Sequence, residues 1–324
     1  MKKEYGILGL LGALCVITTY FNPRFISANN LSNLATSIGM FGVFSMGLGM
    51  VIITGGIDLS VGSMCALVGV LLTMGLGTWH YSWPCVVVLV LLFPMLAGYL
   101  HGWLITRLNL QPFIVTLCGL LLYRGAARYI ARDATHGFSE AEGIETLRFL
   151  SSGHLGNWVP MPFVILLIVS AILWVVLHRS IYGRYLFAVG RNEQAARYSG
   201  INTRLVIAMA YVIAGLLTGI SGIMIAFYAT SVSPSNHGNF YELYGIAAAV
   251  LGGCSLRGGE GSVCGIFIGT ALLQVLQNLV NLLKIDSSLN YAVMGAVVLS
   301  GVIADQLLQR RTEKRAVNRY SAKG

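Results

Sequence analysis

Apolar residues fall along this chain in long uninterrupted blocks rather than in alternation. The blocks lie at roughly 5–21, 35–54, 60–77, 83–106, 112–131, 160–178, 205–230, 243–253, 262–283 and 288–309. A helix needs about 20 apolar residues to cross ~30 Å of hydrocarbon, and most of the blocks are near that length. In lipid the backbone must satisfy its own hydrogen bonds, so such blocks form helices. Strands of a membrane barrel would alternate over about ten residues, and no such segments occur. The pattern predicts an all-α, polytopic transmembrane bundle of about ten spans. The eighth block is too short to cross alone and ends at Gly252-Gly253, which predicts a broken or tilted segment. Residues 1–324 read as one transmembrane domain with no separate soluble domain. The opening MKKEYGILGLLGALC is similar to a lipoprotein leader, but Leu14 stands before Cys15 where a small residue is needed. It reads as an uncleaved first span.

Composition supports the pattern. The chain is 56% hydrophobic and 10% charged, where soluble proteins carry about 25% charged residues. The net charge of +9 is set by lysines and arginines in short connections and at the C-terminus, as topology charges are, so the partner they imply is a lipid bilayer and not nucleic acid. With a cytoplasmic N-terminus and ten crossings, Lys2, Lys3, Arg107, Arg179, Arg184, Arg191, Arg197, Arg204, Arg257 and the basic tail fall inside. Arg24, Arg132, Arg148 and Lys284 fall outside. Both termini are then cytoplasmic. A long loop at 132–159 faces outside and a basic one at 179–204 faces the cytoplasm. The six cysteines lie in or beside apolar blocks at irregular spacings and read as small packing residues.

The chemistry is that of a carrier. No phosphate loop of the G-x-x-x-x-G-K-[ST] kind is present, and GGEGS at 258–262 lacks its lysine. None of the six histidines stands at ligand spacing from another, and no nucleophile elbow or HExxH occurs. An enzyme is therefore not expected, and neither catalytic residues, a cofactor nor a metal is assigned. In the ninth block Gln274, Gln277, Asn278 and Asn281 share one helical face. That face must look into the bundle or a watery cavity. It either glues helices together or lines a path for a polar, uncharged solute. Arg124, Arg128 and Arg132 follow at steps of four on the fifth block, with Asp133 at its end. They either snorkel to the interface, or pair within the bundle or gate it.

Two glycine-rich breaks, GGIDLSVGS (55–63) and GGCSLRGGEGS (252–262), resemble each other. Glycine pairs that interrupt apolar runs mark discontinuous helices, where carriers place solutes or hinges. The residues singled out at the first break are Gly55, Gly56, Asp58 and Ser60. Asp58 or Ser60 would suit the N-terminus of the third helix, as a cap and as a charge matched to the helix dipole. The topology puts both breaks, and hence Asp58, near the cytoplasmic side. Their likeness hints at a duplication, although an inverted repeat would not pair them.

Over nearly the whole chain the residues resemble the permease subunit of ATP-binding-cassette importers of the ribose type, the bacterial carbohydrate-uptake branch. The matching stretches are GMVIITGGIDLSVGS (49–63), QPFIVTLCGLLLYRG (111–125), GRYLFAVGRNEQAARYSGI (183–201) and YELYGIAAAVLGGCSLRGGEGS (241–262). The resemblance implies a multi-pass protein of the bacterial inner membrane that imports a monosaccharide. It implies a second permease subunit, identical or related, a separate cytoplasmic ATPase, and an extracytoplasmic binding protein that delivers the solute. It also implies a cytoplasmic helix that docks on the ATPase, carried by Glu193, Ala195, Ala196, Arg197 and Gly200. Two positions depart from the family pattern: Tyr244 where an aspartate is usual, and Cys254 where a threonine is usual. Nucleosides or branched-chain amino acids are the alternative cargoes. An ion-coupled secondary transporter, resting on Asp58 and Arg124 as intramembrane ionisable residues, is the alternative class.

Overall fold

The computed structural model of the protein describes residues 2–138, 144–156 and 158–284, with isolated positions between 289 and 299. The last apolar block, 288–309, lies outside the described residues for the most part. The helices run in chain order as α1 (Lys2–Phe21), α2 (Ala28–Ile53), α3 (Val61–Thr73), α4 (Trp83–Arg107), α5 (Pro112–Ile130), α6 (Ile144–Ser152), α7 (Met161–His178), α8 (Ile181–Arg191), α9 (Glu193–Tyr198), α10 (Thr203–Ala229), α11 (Tyr241–Leu251) and α12 (Val263–Leu282). A π turn over Met74–Thr78 extends α3. Four two-residue strands pair as short ribbons: β1 (His136–Gly137) with β4 (Ser231–Val232), and β2 (His154–Leu155) with β3 (Val159–Pro160).

Seven of the described helices are long and apolar enough to cross a membrane: α2, α3 with its π turn, α4, α5, α7, α10 and α12. Tyr5–Phe21 and α11 are shorter apolar helices. The architecture is thus an all-α, polytopic membrane bundle. The loops resolve into local structure that the hydropathy pattern does not show. The 132–159 connection carries α6, and the 179–204 connection carries α8 and α9.

Burial sorts the helices into an inner and an outer set. In its most apolar window α2 is 89% buried and α3 83%, whereas α4 is 28% and α5 and α7 are 22%. A helix that is apolar on every side belongs at the centre of a bundle. The outer helices turn Leu, Ile, Val and aromatic side chains away from the protein, among them Leu92, Leu96, Leu121, Leu122 and Ile172. Such surfaces face hydrocarbon, which demands no polar coat.

Small residues set how closely the helices approach. Lipid gives helices no hydrophobic reason to associate, so close backbone packing carries the interface. Along α4 and α10, Gly98 lies against the backbone of Tyr211, Gly102 against Ala208, and Gly215 against Pro94. A Cβ on Gly98 would run into the Tyr211 carbonyl. Gly125 on α5, by contrast, has nothing within 4 Å of the same position. Gly98→Ala is therefore expected to cost about 1–3 kcal/mol by overpacking, read as a lowered Tm in detergent, while Gly125→Ala leaves Tm unchanged or raises it. Equal Tm values for the two variants would contradict this account of the α4–α10 contact.

Candidate functional site: two non-helical segments that meet inside the bundle

The first break is set by the end of α2. Thr54 closes the last turn with its N–H on the Val51 carbonyl at 3.0 Å, and Gly55 takes φ +85°, a left-handed conformation that favours glycine. The chain then runs back into the bundle without forming helix until Val61. Its carbonyls need partners there, and neighbouring helices provide them. The Ile57 carbonyl accepts from the Tyr211 hydroxyl on α10 and from Thr116 Oγ1 on α5, both at 3.3 Å. Asp58, Ser60 and Val61 share the lining of one small cavity with Gly98 and His101 of α4 and Gly215 and Thr218 of α10. Gly215 lies twelve residues past Thr203 (215 − 203), about 18 Å along α10, which is near the middle of that helix.

This corrects the depth expected for Asp58. The charge-based topology puts it near the cytoplasmic end, whereas the structure buries it at mid-length of α4 and α10, 5% exposed. The extended return of residues 54–60 makes the difference, and it leaves no trace in hydropathy because Ile57, Leu59 and Val61 continue the apolar pattern. Asp58 Oδ1 accepts from the Ser60 N–H at 2.8 Å and the Ser60 hydroxyl at 2.6 Å. The two residues expected to cap α3 therefore bond each other just ahead of it, and Ser60 makes no side-chain cap bond.

The carboxylate at that helix end comes from elsewhere. Glu242 of α11, 8% exposed, sets its carboxylate against the backbone of Gly62 in the first turn of α3. The second non-helical segment brings it there. After α10, Thr230 takes φ +61°, Val232 packs over Gly69 of α3, and the chain descends to start α11 at Tyr241. Arg124 of α5 donates to the Pro234 carbonyl at 2.9 Å and the His237 carbonyl at 2.7 Å. Gly238 and Gly62 touch backbone to backbone. The N-termini of α3 and α11 thus meet inside the bundle, with one carboxylate between their positive dipole ends. His237 Nε2 is buried beside this junction without a hydrogen-bond partner.

The inward return of residues 54–60 has its counterpart in 230–240, whose Gly238 meets Gly62 just past the first break, while the 252–262 stretch touches that break at its start, where Gly258 meets Gly55. One segment returns inward from the end of α2 and the other from the opposite end of α10. The sequence hint was the similarity of the two glycine-pair stretches, and the structural counterpart, SVSPSNHGN at 231–239, shares no motif with the first. Its polar run closing an apolar block was the available signal. Glu242 was legible too, as the only carboxylate beside the short eighth block.

α5 grips both segments. Thr116 holds Ile57, Arg124 holds residues 234–237, and Tyr123 meets His101 Nε2 at 2.8 Å. At the C-terminal end of α5 Arg128 bonds Asp133 through two nitrogens at 2.7 and 2.8 Å, and Ser235 donates to the same carboxylate at 3.2 Å. The Arg128 guanidinium, helped by Ser235, holds the Asp133 carboxyl below its usual range. A depressed carboxylate pKa means that this tie holds at neutral pH and is lost as pH falls through the lowered value. Arg124 and Arg128 are thus paired, not simply snorkelling.

The remaining sequence-selected residues fall into two places. On α12, Gln274 is buried, Gln277 and Asn278 are half-buried and Asn281 is exposed. Asn278 and Asn30 exchange amide hydrogen bonds at 2.9 and 3.0 Å, so at this position the face joins α12 to α2. At the cytoplasmic end by charge, Ser180, Asn192 and Asn202 cap α8, α9 and α10 through their side chains. Glu193 accepts from Thr203 Oγ1 at 3.1 Å. Ala195, Arg197 and Gly200 are exposed, and Gly200 has φ +83°. Ala196 instead turns inward, 5% exposed. Tyr198, on the same short helix, is 91% exposed. Tyr244 packs edge-on against Phe41, with ring centroids 5.9 Å apart, and Cys254 is buried.

A bundle whose charged and polar groups converge on interrupted helices is the build of a transport protein, and comparison with known sequences agrees. The chain belongs to the family described as branched-chain amino acid transport system / permease component, whose model matches residues 30–301. It is a permease component and not an enzyme. Among its relatives is the ribose import permease protein RbsC of Bacillus subtilis (strain 168), 36% identical over 307 residues, 94% of this chain and 93% of that one. The L-arabinose transport system permease protein AraH of Escherichia coli (strain K12) is 33% identical over 309 residues, 95% and 92% of the two chains. The D-allose transport system permease protein AlsC of the same strain is 28% identical over 309 residues, 95% and 93%. No solved structure matches the chain.

The role of Glu242 as a shared cap has a direct check. Glu242→Ala removes the polar group that lies against the first turn of α3 and should cost about 1–3 kcal/mol, seen as a lower Tm. Glu242→Gln keeps an oxygen acceptor and should lose less than half as much. An alanine variant as stable as the parent would remove Glu242 from that role.

Proposed function

We propose that this chain is the membrane permease subunit of an ATP-driven importer that translocates a monosaccharide delivered by an extracytoplasmic binding protein. The observation that carries the reading is similarity along at least nine-tenths of the chain to permeases named for three different sugars. The family name points to branched-chain amino acids, but the charges at the helix junction are matched to one another: Glu242 faces the Gly62 N–H and lies in the field of Arg124. A zwitterionic amino acid would need charged partners of its own, whereas a sugar needs hydrogen bonds alone.

In this reading the chain is one domain of ten spans, and it lies in the bacterial inner membrane with both termini in the cytoplasm. It pairs with a second permease subunit. A cytoplasmic ATPase docks on α8 and α9, where Glu193, Ala195, Arg197 and Gly200 form the exposed side and Ala196 seats the helix on the bundle. ATP binding closes the ATPase pair and moves α8 and α9, and the interrupted helices near Gly55, Gly56, Asp58 and Ser60 flex. The solute passes between subunits, along faces that include Gln274, Gln277, Asn278 and Asn281.

The test is uptake in vesicles reconstituted with the cognate ATPase and binding protein, offered radiolabelled D-ribose, L-arabinose, D-allose, uridine and leucine. ATP-dependent uptake of a sugar is expected. Uptake of uridine or leucine alone, or uptake by this chain without the ATPase, would overturn the reading. Within that assay Asp58→Asn separates two roles of the carboxylate. Asparagine can still accept from Ser60, so transport within about threefold of wild type is expected if Asp58 only shapes the turn, since the two residues serve such sites almost equally.

A further inference from the structure

Three stretches that are remote in sequence meet backbone to backbone at the cytoplasmic end, and glycine makes each meeting possible. Gly190, in the last turn of α8, lies so close to the Ile53 carbonyl and the Gly259 amide that a Cβ would collide with both. The Gly259 N–H donates to that same Ile53 carbonyl at 2.8 Å. A Cβ on Gly258 would sit 2.7 Å from the Gly190 carbonyl and 2.8 Å from the Gly55 nitrogen. Gly258 and Gly259 both have positive φ, +83° and +73°. Gly261 closes the joint against Ile53 and Cys254. Gly261 meets side chains, but the contacts of Gly190 and Gly258 are to backbone, which cannot yield as a flexible side chain can.

We infer that Gly190 is the positioning residue through which α8 acts on both interrupted helices, and that Gly55, Gly258 and Gly259 complete a joint that moves as one body with it. The inference rests on the reading that the ATPase docks on α8 and α9. Through this contact a displacement of α8 reaches the start of the 54–60 segment, which carries Asp58. By the same contact it reaches the 252–262 connection between α11, which carries Glu242, and α12. Side-chain packing would leave play between these elements, whereas backbone contact and one shared carbonyl leave little. The glycine pairs of the two similar stretches thereby acquire a common purpose, because one docks on the other.

The test uses the complete complex in vesicles with D-ribose, L-arabinose or D-allose, whichever the binding protein delivers. Gly190→Ala should leave ATPase association and ATP hydrolysis within about twofold while uptake falls tenfold or more, because one methyl against backbone strains the joint in one state more than the other. ATP spent per sugar therefore rises. Gly258→Ala should do the same. Gly253→Ala controls for backbone strain: it has φ +91° but nothing within 4 Å, so its ATP-to-sugar ratio should stay near wild type. An unchanged ratio in Gly190→Ala, or an equal rise in Gly253→Ala, overturns the inference.

Spin labels decide the matter even where Gly190→Ala fails to assemble. With labels at Arg191→Cys, Arg257→Cys and Tyr129→Cys, and the other exposed cysteines replaced, the first two should shift together relative to Tyr129 on ATP binding. Their mutual distance should hold to about 2 Å, the scale of a helix shift. Movement of position 191 that 257 does not follow, or no movement of either, rejects the joint. Failure of the importer reading looks different, since the cognate ATPase would then not bind even the wild-type chain.

Discussion

A backbone that leaves helix inside a membrane bundle must still find partners for its N–H and C=O groups. Most of this structure follows from how that demand is met. Unsatisfied peptide groups in hydrocarbon cost several kcal/mol each, and two stretches here, 54–60 and 230–240, run non-helical among buried helices. The cost is offset by side chains placed for the purpose: Thr116 and Tyr211 on the Ile57 carbonyl, Arg124 on those of Pro234 and His237, and Glu242 on the first turn of α3. α5 supplies two of these four. It is among the least buried of the long helices, yet it ties down both segments.

That division of labour explains which parts of the molecule were legible in sequence. Spans are written in hydropathy because the hydrocarbon thickness fixes the length of an apolar run, so α4, α5, α7, α10 and α12 could be read within a few residues, whereas α2 starts seven residues before its apolar block, at Ala28. Caps at Ser180, Asn192 and Asn202 are also local and readable. Depth is another matter. Whether the chain after Ile53 proceeds directly into a helix or first doubles back depends on Tyr211 and Thr116, each more than fifty residues away, and apolar residues such as Ile57 and Leu59 suit either course. The pairing of Gly62 with Glu242 is invisible for the same reason.

The candidate site shows a similar split. Asp58 stood out as a lone carboxylate, and it does lie at the helix junction, but its partner is Ser60 two residues on and the carboxylate at the helix end is Glu242. The amide row on α12 was read as facing inward. Gln274 is buried and Asn278 bonds Asn30, whereas Asn281 is exposed. Ala196 shows how a small residue can be small for its own bundle's sake rather than for a partner's.

The meeting of α3 and α11 on one carboxylate has a mechanical meaning. α3 packs mainly on α5 and α10, and α11 mainly on α2 and α12, so each could in principle tilt by itself. With their first turns sharing Glu242, and Gly62 seated on Gly238, a rotation of one drags the other. Two independent hinges are reduced to a single degree of freedom.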